Sequence, residues 1–105
     1  MSGERERYQV LMSPSAHRRY RKFDPHLQRK IKEEARKISE DPYRYEELKG
    51  PLKNIRSYHF DYRNTEYRIA YRIVENKNRI EIVLVKTRKS FYQTLRQIIG
   101  KRRDA

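Results

Sequence analysis

Residues 59–73, HFDYRNTEYRIAYRI, hold His59, Asp61 and Arg68 within a pattern typical of strands. Residues two apart on a strand share a face and lie roughly 6.5–7 Å apart, so His59 and Asp61 are predicted neighbours. An imidazole changes charge near neutral pH, which makes His59 a candidate general base. Arg68 lies where a paired strand can bring it close, and a guanidinium group binds phosphate oxygens bidentately.

A second group of candidate residues follows in KTRKSFY, residues 86–92. Arg88 is predicted to leave the sheet where the last helix begins, and Tyr92 to lie in the first turn of that helix. Arginines with a nearby phenol suit a phosphodiester, because guanidinium groups also stabilise the extra negative charge of a pentacoordinate transition state. The two groups together predict a site for phosphate chemistry.

Each of these residues also has an ordinary structural explanation. The histidine and aspartate could be an exposed strand pair. Arg68 could form a salt bridge with Glu66 or Glu81, which is common and weakly stabilising. A tyrosine in a first helical turn, as Tyr92 is predicted to be, is more often a packing residue than a catalytic one.

The strands that position these residues are predicted within residues 56–86, as a three-stranded meander. Aromatic and aliphatic residues alternate with polar ones in the first two strands, whereas residues 80–85, IEIVLV, are nearly all apolar, as in a strand covered on both faces. The face that helices should cover carries Tyr58, Phe60, Tyr62, Tyr67, Ile69 and Tyr71. The opposite face carries His59, Asp61, Arg68 and Arg72.

Helices are predicted both before and after this meander along the chain. Residues 8–12 form a first strand, after which Ser13-Pro14 and Asp24-Pro25 each give an N-cap followed by proline at the first helical position. Asp41-Pro42 ends the second helix, because the residue before proline avoids the helical conformation. Glu33 and Lys37 are spaced to pair on the exposed side of that helix. Ser90 is the expected cap of a last helix.

The element order is β-α-α-β-β-β-α, which predicts the α+β class. We expect a small twisted antiparallel sheet with an N-terminal helical hairpin and a C-terminal helix, and with the helices mainly on one face. Residues 43–54 are predicted to be a loop. At this length one domain is expected, over residues 1–105.

The formal net charge of +13 indicates a polyanionic partner, and nucleic acid is favoured. The chain has no cysteine and no apolar run long enough to span a bilayer, so a cytoplasmic protein without a membrane partner is expected. The histidines lack metal-ligand spacing and the glycines are scattered, so neither a metal nor a small-molecule cofactor is predicted. The candidate RNA-binding residues are Lys49, Lys53, Arg56, Arg63, Arg72, Lys86 and Lys89.

The stretch SYHFDYRNTEYRIAYRI, followed by IVLVKTRKSFY, resembles the RelE/ParE superfamily of toxins from type II toxin–antitoxin systems. The helical hairpin, the segment EDPYRYEELKGPLKN and the strand order also match, so the resemblance covers nearly the whole chain. It implies a RelE-like fold, a cognate antitoxin and a ribosome-dependent mRNA endonuclease. Such an enzyme cleaves without metal, by attack of the 2′-hydroxyl on the adjacent phosphate.

Motif positions in the resemblance imply roles for individual residues. The arginine of Y-R-I-x-Y is Arg68, and the arginine at the end of the last strand is Arg88; both would stabilise phosphate charge. Tyr92, from R-K-x-x-Y, would stack on a base or transfer a proton. Members of RelE type commonly carry two lysines where this chain has His59 and Asp61.

The departure at these two positions leaves alternatives open. His59 could replace the lysines as general base, with Asp61 orienting the ring or favouring its protonated form, which Arg68 would oppose. The lost lysines instead favour a ParE-like toxin that inhibits DNA gyrase without cleaving RNA. The third alternative is an inactive or generic nucleic-acid binder.

Overall fold

The computed structural model describes residues 7–104. The helices and strands, in chain order, are β1 (Gln9–Met12), α1 (Pro14–Tyr20), α2 (Pro25–Glu40), β2 (Glu46–Glu47), β3 (Arg56–Tyr62), β4 (Thr65–Val74), β5 (Arg79–Thr87) and α3 (Phe91–Asp104). Short 3-10 turns cover Pro42–Arg44, Gly50–Leu52 and Glu75–Lys77. The order of the predicted elements is confirmed, and β2 is an added strand inside the predicted loop.

The helical hairpin begins and ends where the sequence predicts. The Ser13 hydroxyl accepts a hydrogen bond from the Ala16 amide at 3.2 Å, and the Asp24 carboxylate accepts one from the Leu27 amide at 2.9 Å. Each cap satisfies an amide that lacks a partner within the first helical turn. Helix α2 ends at Glu40, immediately before Asp41-Pro42.

The sheet has the strand order β1-β5-β4-β3-β2. Strands β3, β4 and β5 form the predicted antiparallel meander, but β1 pairs with β5 in parallel, so the sheet is mixed and not wholly antiparallel. The direction of β1 follows from the hairpin that comes directly after it. Val10 and Met12 pack in the same core as the helices, and the Ser13 amide bonds to the Ile82 carbonyl at 2.9 Å before α1 begins.

Helices α1 and α2 cover the predicted aromatic face of the sheet. Ala16, Leu27 and Ile31 of the hairpin are buried against a cluster that includes Ile69 and Tyr71. The tyrosines and phenylalanine of β3 and β4 belong to the same cluster, which confirms that this alternation is core. The polar face of the meander therefore lies on the other side of the sheet.

Helix α3 packs against that other side, so the helices do not all lie on one face. Phe91 and Leu95 form a second core with Ala70, Val83 and Leu84. The β4–β5 register shifts between Ala70 and its neighbour Tyr71, which pairs with Ile82. Val83 is the extra residue of this bulge, and Val83 and Leu84 both join the second core. The apolar run in β5 is thus explained by burial on both faces.

Helix α2 carries a buried carboxylate on the side that faces the sheet. Glu34 is 2% exposed, accepts a hydrogen bond from the Tyr58 hydroxyl, and pairs with Lys30 at 3.1 Å and Lys37 at 3.2 Å. Lys37 is therefore the partner of Glu34, and its predicted pairing with Glu33 is wrong. Burial alone would raise the pKa of Glu34, but the hydrogen bonds from Tyr58, Lys30 and Lys37 outweigh it and lower the pKa.

Candidate functional site

A row of three polar residues crosses the centre of the sheet on the face opposite the hairpin. His59 of β3 is the register partner of Arg68 of β4, and Arg68 is the register partner of Lys86 of β5. Direct partners on neighbouring antiparallel strands have Cβ atoms roughly 4.5–5.5 Å apart. The structure therefore brings a candidate base and two cations side by side.

A tight turn sets the register of this row. Arg63 and Asn64 both have positive φ, 51° and 64°, and Tyr62 pairs with Thr65 across the turn. Two consecutive residues with positive φ characterise the type I′ turn, whose twist suits a hairpin. The hairpin loop is thus the two residues Arg63-Asn64, and counting back from it places His59 against Arg68.

Arg68 lies at the centre of the row and is only 20% exposed. Its Nη1 donates a hydrogen bond to the Tyr92 hydroxyl at 2.9 Å, and its guanidinium carbon lies 5.6 Å from the centroid of the Tyr92 ring. Its Nη2 forms an ion pair with Glu66 Oε2 at 2.8 Å. Its Nε is buried and has no hydrogen-bond partner among the residues that the structure describes. Arg68 is thus oriented by two neighbours and retains an unused donor.

Tyr92 reaches Arg68 because of how α3 begins. The helix starts at Phe91, so Tyr92 lies in its first turn as predicted, and the Phe91 and Tyr92 rings meet edge to face at 5.2 Å. The carbonyl of Ser90 accepts a bond from the Thr94 amide at 3.0 Å. The backbone of Ser90 is left-handed, with φ 58°, and lacks the extended conformation of an ordinary serine cap.

His59 and Asp61 lie on the same face, as predicted, and both are exposed. Asp61 is the register partner of Glu66, so two carboxylates lie across from each other beside the row. Within residues 7–104 no hydrogen bond joins His59 to Asp61, so the proposed orienting bond is not formed in this structure. The imidazole is therefore open to solvent and to a ligand.

The segment between β5 and α3 adds further cations to this edge of the site. The Lys86 ammonium donates to the Lys89 carbonyl at 2.6 Å, and the Arg88 amide donates to the Glu66 carbonyl at 3.1 Å. Arg88 leaves the sheet between Thr87 and α3, as predicted, and its side chain is exposed. Arg88 and Lys89 thus border the row without being part of it.

Two of the predicted RNA-binding residues lie away from the row. Arg56 has the same strand parity as Tyr58, so it lies on the hairpin side, where it donates to the carbonyls of Tyr43 at 3.1 Å and Tyr45 at 2.6 Å. Arg72 is on the polar face, but four strand residues from Arg68 is roughly 13 Å. Its Nε bonds to Glu81 at 2.6 Å.

The remaining predicted RNA-binding residues occupy exposed turns. Lys49 and Lys53 flank the 3-10 turn Gly50–Leu52, and the guanidinium of Arg63 lies 5.0 Å from the centroid of the Tyr62 ring. The ion pair of Arg68 with Glu66 confirms one of the two salt bridges that the sequence allows for this arginine. The basic run in HRRYRK, residues 17–22, was not assigned a role, although four of its side chains line a groove beside β5.

In the described part of the chain, no three His, Cys, Asp or Glu side chains are grouped so that they could hold a metal ion. None of the helices in residues 7–104 is long and apolar enough to cross a membrane.

Solved structures share this fold. The RelBE2 toxin–antitoxin complex from Mycobacterium tuberculosis matches with a TM-score of 0.67 and 27% identity, over 83% of this chain and 98% of the matched chain. A double arginine-to-alanine mutant of the E. coli toxin RelE, in the free state, matches with a TM-score of 0.69 and 21% identity, over 92% and 98%. The intact E. coli RelBE complex matches with 0.60 and 20%, over 75% and 94%.

The sequence comparisons give the family. Comparison with curated proteins finds no match. A family model for the ParE-like toxins of type II bacterial toxin–antitoxin systems matches residues 10–96. This match and the RelE-like fold confirm the resemblance stated from the sequence. The chain therefore belongs to the ParE-like toxins of type II toxin–antitoxin systems.

Proposed function

We propose that this toxin is a metal-independent endoribonuclease that cleaves mRNA on the ribosome. The observation that carries the proposal is the row of His59, Arg68 and Lys86 on one solvent-accessible face, with the Tyr92 hydroxyl bonded to its central arginine. A base, phosphate-binding cations and a hydroxyl donor are the groups that attack by a 2′-hydroxyl requires.

Arg68 and Lys86 bind the phosphate that is attacked. As the 2′-oxygen bonds to phosphorus, charge grows on the nonbridging oxygens, and fixed cations stabilise it more than they stabilise the substrate. The ion pair of Arg68 Nη2 with Glu66 is partly exposed, so a phosphate can displace the carboxylate and take up this donor. Arg88, on the exposed segment before α3, binds a neighbouring phosphate.

His59 and Tyr92 move the protons. The imidazole takes the proton of the 2′-hydroxyl, whose oxygen then attacks phosphorus and breaks the bond to the 5′-oxygen. The Tyr92 oxygen accepts a hydrogen bond from Arg68, so its own proton is free to pass to the departing 5′-oxygen. The products are a 2′,3′-cyclic phosphate and a 5′-hydroxyl. Asp61, one pleat away, stabilises the imidazolium that forms.

Primer extension on mRNA from induced cells tests this proposal. We expect new 5′ ends in cells that express the wild type, and loss of these ends with Arg68→Ala and with His59→Ala. Lys32→Ala, on the exposed side of α2, is a control that should cleave normally. Cleavage that survives in His59→Ala would reject the histidine as base, and absence of cleavage by the wild type would reject the nuclease.

Inhibition of DNA gyrase is the second candidate function. It is favoured by the match to the ParE-like family model and by His59 and Asp61 in place of the usual lysine pair. A supercoiling assay with purified gyrase separates the two functions. Inhibition by both the wild type and Arg68→Ala, without RNA cleavage, would support this candidate.

We also propose a cognate antitoxin as the protein partner. Matched structures from M. tuberculosis, E. coli and Pyrococcus horikoshii are complexes of RelE-type toxins with RelB-type antitoxins. The +13 charge of this chain suits an acidic amphipathic segment that wraps the helices or the groove. Expression of the toxin alone should arrest growth, and co-expression of an adjacent small acidic protein should relieve the arrest.

A further inference from the structure

A basic groove lies between α1 and the end of β5, beside the row of His59, Arg68 and Lys86. Its volume is about 870 Å³, and its lining includes Arg18, Arg19, Arg21, Lys22 and Lys86. Within the described chain, no acidic side chain lines it. A concave surface lined by one sign of charge concentrates the field and attracts the opposite charge.

The fold creates this groove where β1 stops. β1 pairs with β5 only as far as Ile82, and the chain then turns into α1, so the last residues of β5 have no outer strand in the described sheet. Ala16 and Tyr20 of α1 are buried against the core. The helix therefore presents Arg18 and Arg19, both exposed, on its outer side.

The groove is continuous with the proposed nuclease site. Lys86 lines the groove and is also the register partner of Arg68. Thr87 lines both this groove and a second cavity of about 720 Å³, whose walls include Glu66, Arg88 and Lys89. A strand bound across Arg68 can thus pass around the end of β5, along Arg88 and Lys89, into the groove.

The rest of the lining suits a single nucleic-acid strand. Phe23 and Tyr67 are half-buried, lie edge to face at 6.3 Å, and form part of the groove wall. A positively charged groove with aromatic side chains is the general design of surfaces that bind single strands without sequence preference.

We infer that this groove binds the phosphate backbone of single-stranded RNA, on one side of the scissile phosphate. The identity of the strand as the cleaved mRNA rests on the proposed nuclease function. The binding itself does not, because it requires only the groove residues. Arg18, Arg19 and Lys22 are its expected phosphate contacts.

Fluorescence anisotropy with a labelled 2′-O-methyl RNA 20-mer tests the inference. This probe lacks the attacking hydroxyl, so binding is measured without cleavage. The groove variant carries Arg18→Gln, Arg19→Gln and Lys22→Gln. The control variant carries Arg29→Gln, Lys32→Gln and Arg36→Gln on the exposed side of α2, and so has the same loss of charge. Glutamine is used in both because its helix propensity is close to that of lysine and arginine.

The expected result is a change in the salt dependence of binding. Three lost phosphate contacts should reduce the slope of log K against log salt by about 2, since each contact on a single strand contributes roughly 0.7. The control should retain the wild-type slope, and thermal melting should show that both variants fold. An unchanged slope in the groove variant, or an equal reduction in the control, would overturn the inference.

Other outcomes separate this inference from the nuclease proposal. A reduced slope in the groove variant, together with no mRNA cleavage by the wild type, would retain the groove and reject the nuclease. Cleavage of mRNA by the wild type, together with an unchanged salt slope in the groove variant, would retain the nuclease and reject the groove as an RNA-binding surface. No RNA binding by the wild type at 50 mM salt, or a groove effect seen only with duplex DNA, would overturn the assignment to RNA.

Discussion

Arg68 and Tyr92, 24 positions apart in the sequence, are joined by a hydrogen bond of 2.9 Å from the guanidinium Nη1 to the phenol oxygen. The bond links the central strand pair to α3, and the guanidinium also lies over the Tyr92 ring. Because the tyrosine oxygen is the acceptor, its proton points away from Arg68. This one contact therefore orients both a phosphate-binding group and a proton donor.

Tyr92→Phe tests whether the proton is used. The substitution removes the hydroxyl and keeps the ring that packs against Phe91, so the fold should be retained. If the hydroxyl protonates the leaving 5′-oxygen, single-turnover cleavage of ribosome-bound mRNA should slow by about 10²- to 10⁴-fold. A rate equal to that of the wild type would limit Tyr92 to stacking and to positioning Arg68.

Glu66→Gln should strengthen phosphate binding by Arg68. Glu66 neutralises Arg68 in the free toxin, and RNA must compete with this ion pair. Removing the carboxylate charge should raise RNA affinity by up to roughly fivefold, since an ion pair that is partly exposed contributes at most about 1 kcal/mol. Anisotropy with the 2′-O-methyl RNA measures this, with Glu33→Gln as the control for net charge. Equal gains in both variants would indicate a general charge effect.

Arg56→Ala should reduce stability and leave RNA binding unchanged. The variant loses the bonds to the Tyr43 and Tyr45 carbonyls and the ion pair with Glu47 at 3.5 Å. We expect the free energy of unfolding to fall by about 1–3 kcal/mol in urea titrations. Lys53→Ala, at an exposed turn, should leave stability unchanged. A reduced salt slope for RNA binding in Arg56→Ala would restore this residue to the RNA-binding set.

Glu34→Gln should destabilise the fold in a manner that depends on pH. Burial raises the pKa of Glu34, but the hydrogen bonds outweigh it, so the pKa in the folded state lies below the usual 4.5. A carboxyl of this kind stabilises the fold above its unfolded pKa, and this stabilisation is lost as pH falls through the folded pKa.

Urea titrations at pH 7, 5 and 4 measure this dependence. We expect the variant to be less stable by about 1–2 kcal/mol at pH 7, because Tyr58 and the two lysines lose a charged partner. The difference from the wild type should stay constant down to about pH 4.5 and shrink only in more acidic solution. A difference that grew below this pH would contradict the assigned direction.

Local patterns predicted most of the elements. Caps at Ser13 and Asp24, the break before Pro42 and the alternation in β3 and β4 each depend on a few neighbouring residues. Each of these signals acts through its immediate neighbours and does not depend on the rest of the fold. The short strand β2 was missed, because Glu46 and Glu47 are charged and become a strand only by pairing with the edge of β3.

Part of the site could also be predicted. Strand parity placed His59, Asp61 and Arg68 on one face, and the structure agrees. The same parity argument, applied to Arg56, would have assigned it to the core side. The groove arginines of α1 were missed because a basic run on a helix most often faces solvent without a specific role.

The amino-acid sequence by itself determined the helix limits, the polar face of the meander and the strong positive charge, since these depend on residue type and on spacing along the chain. Only the tertiary structure decided which residues meet. A two-residue turn set His59 against Arg68, a helix start brought Tyr92 onto that arginine, and the end of β1 opened the basic groove. The first contact depends on which two residues form the turn, and the other two features depend on packing between distant segments. Residue spacing along the chain specifies neither.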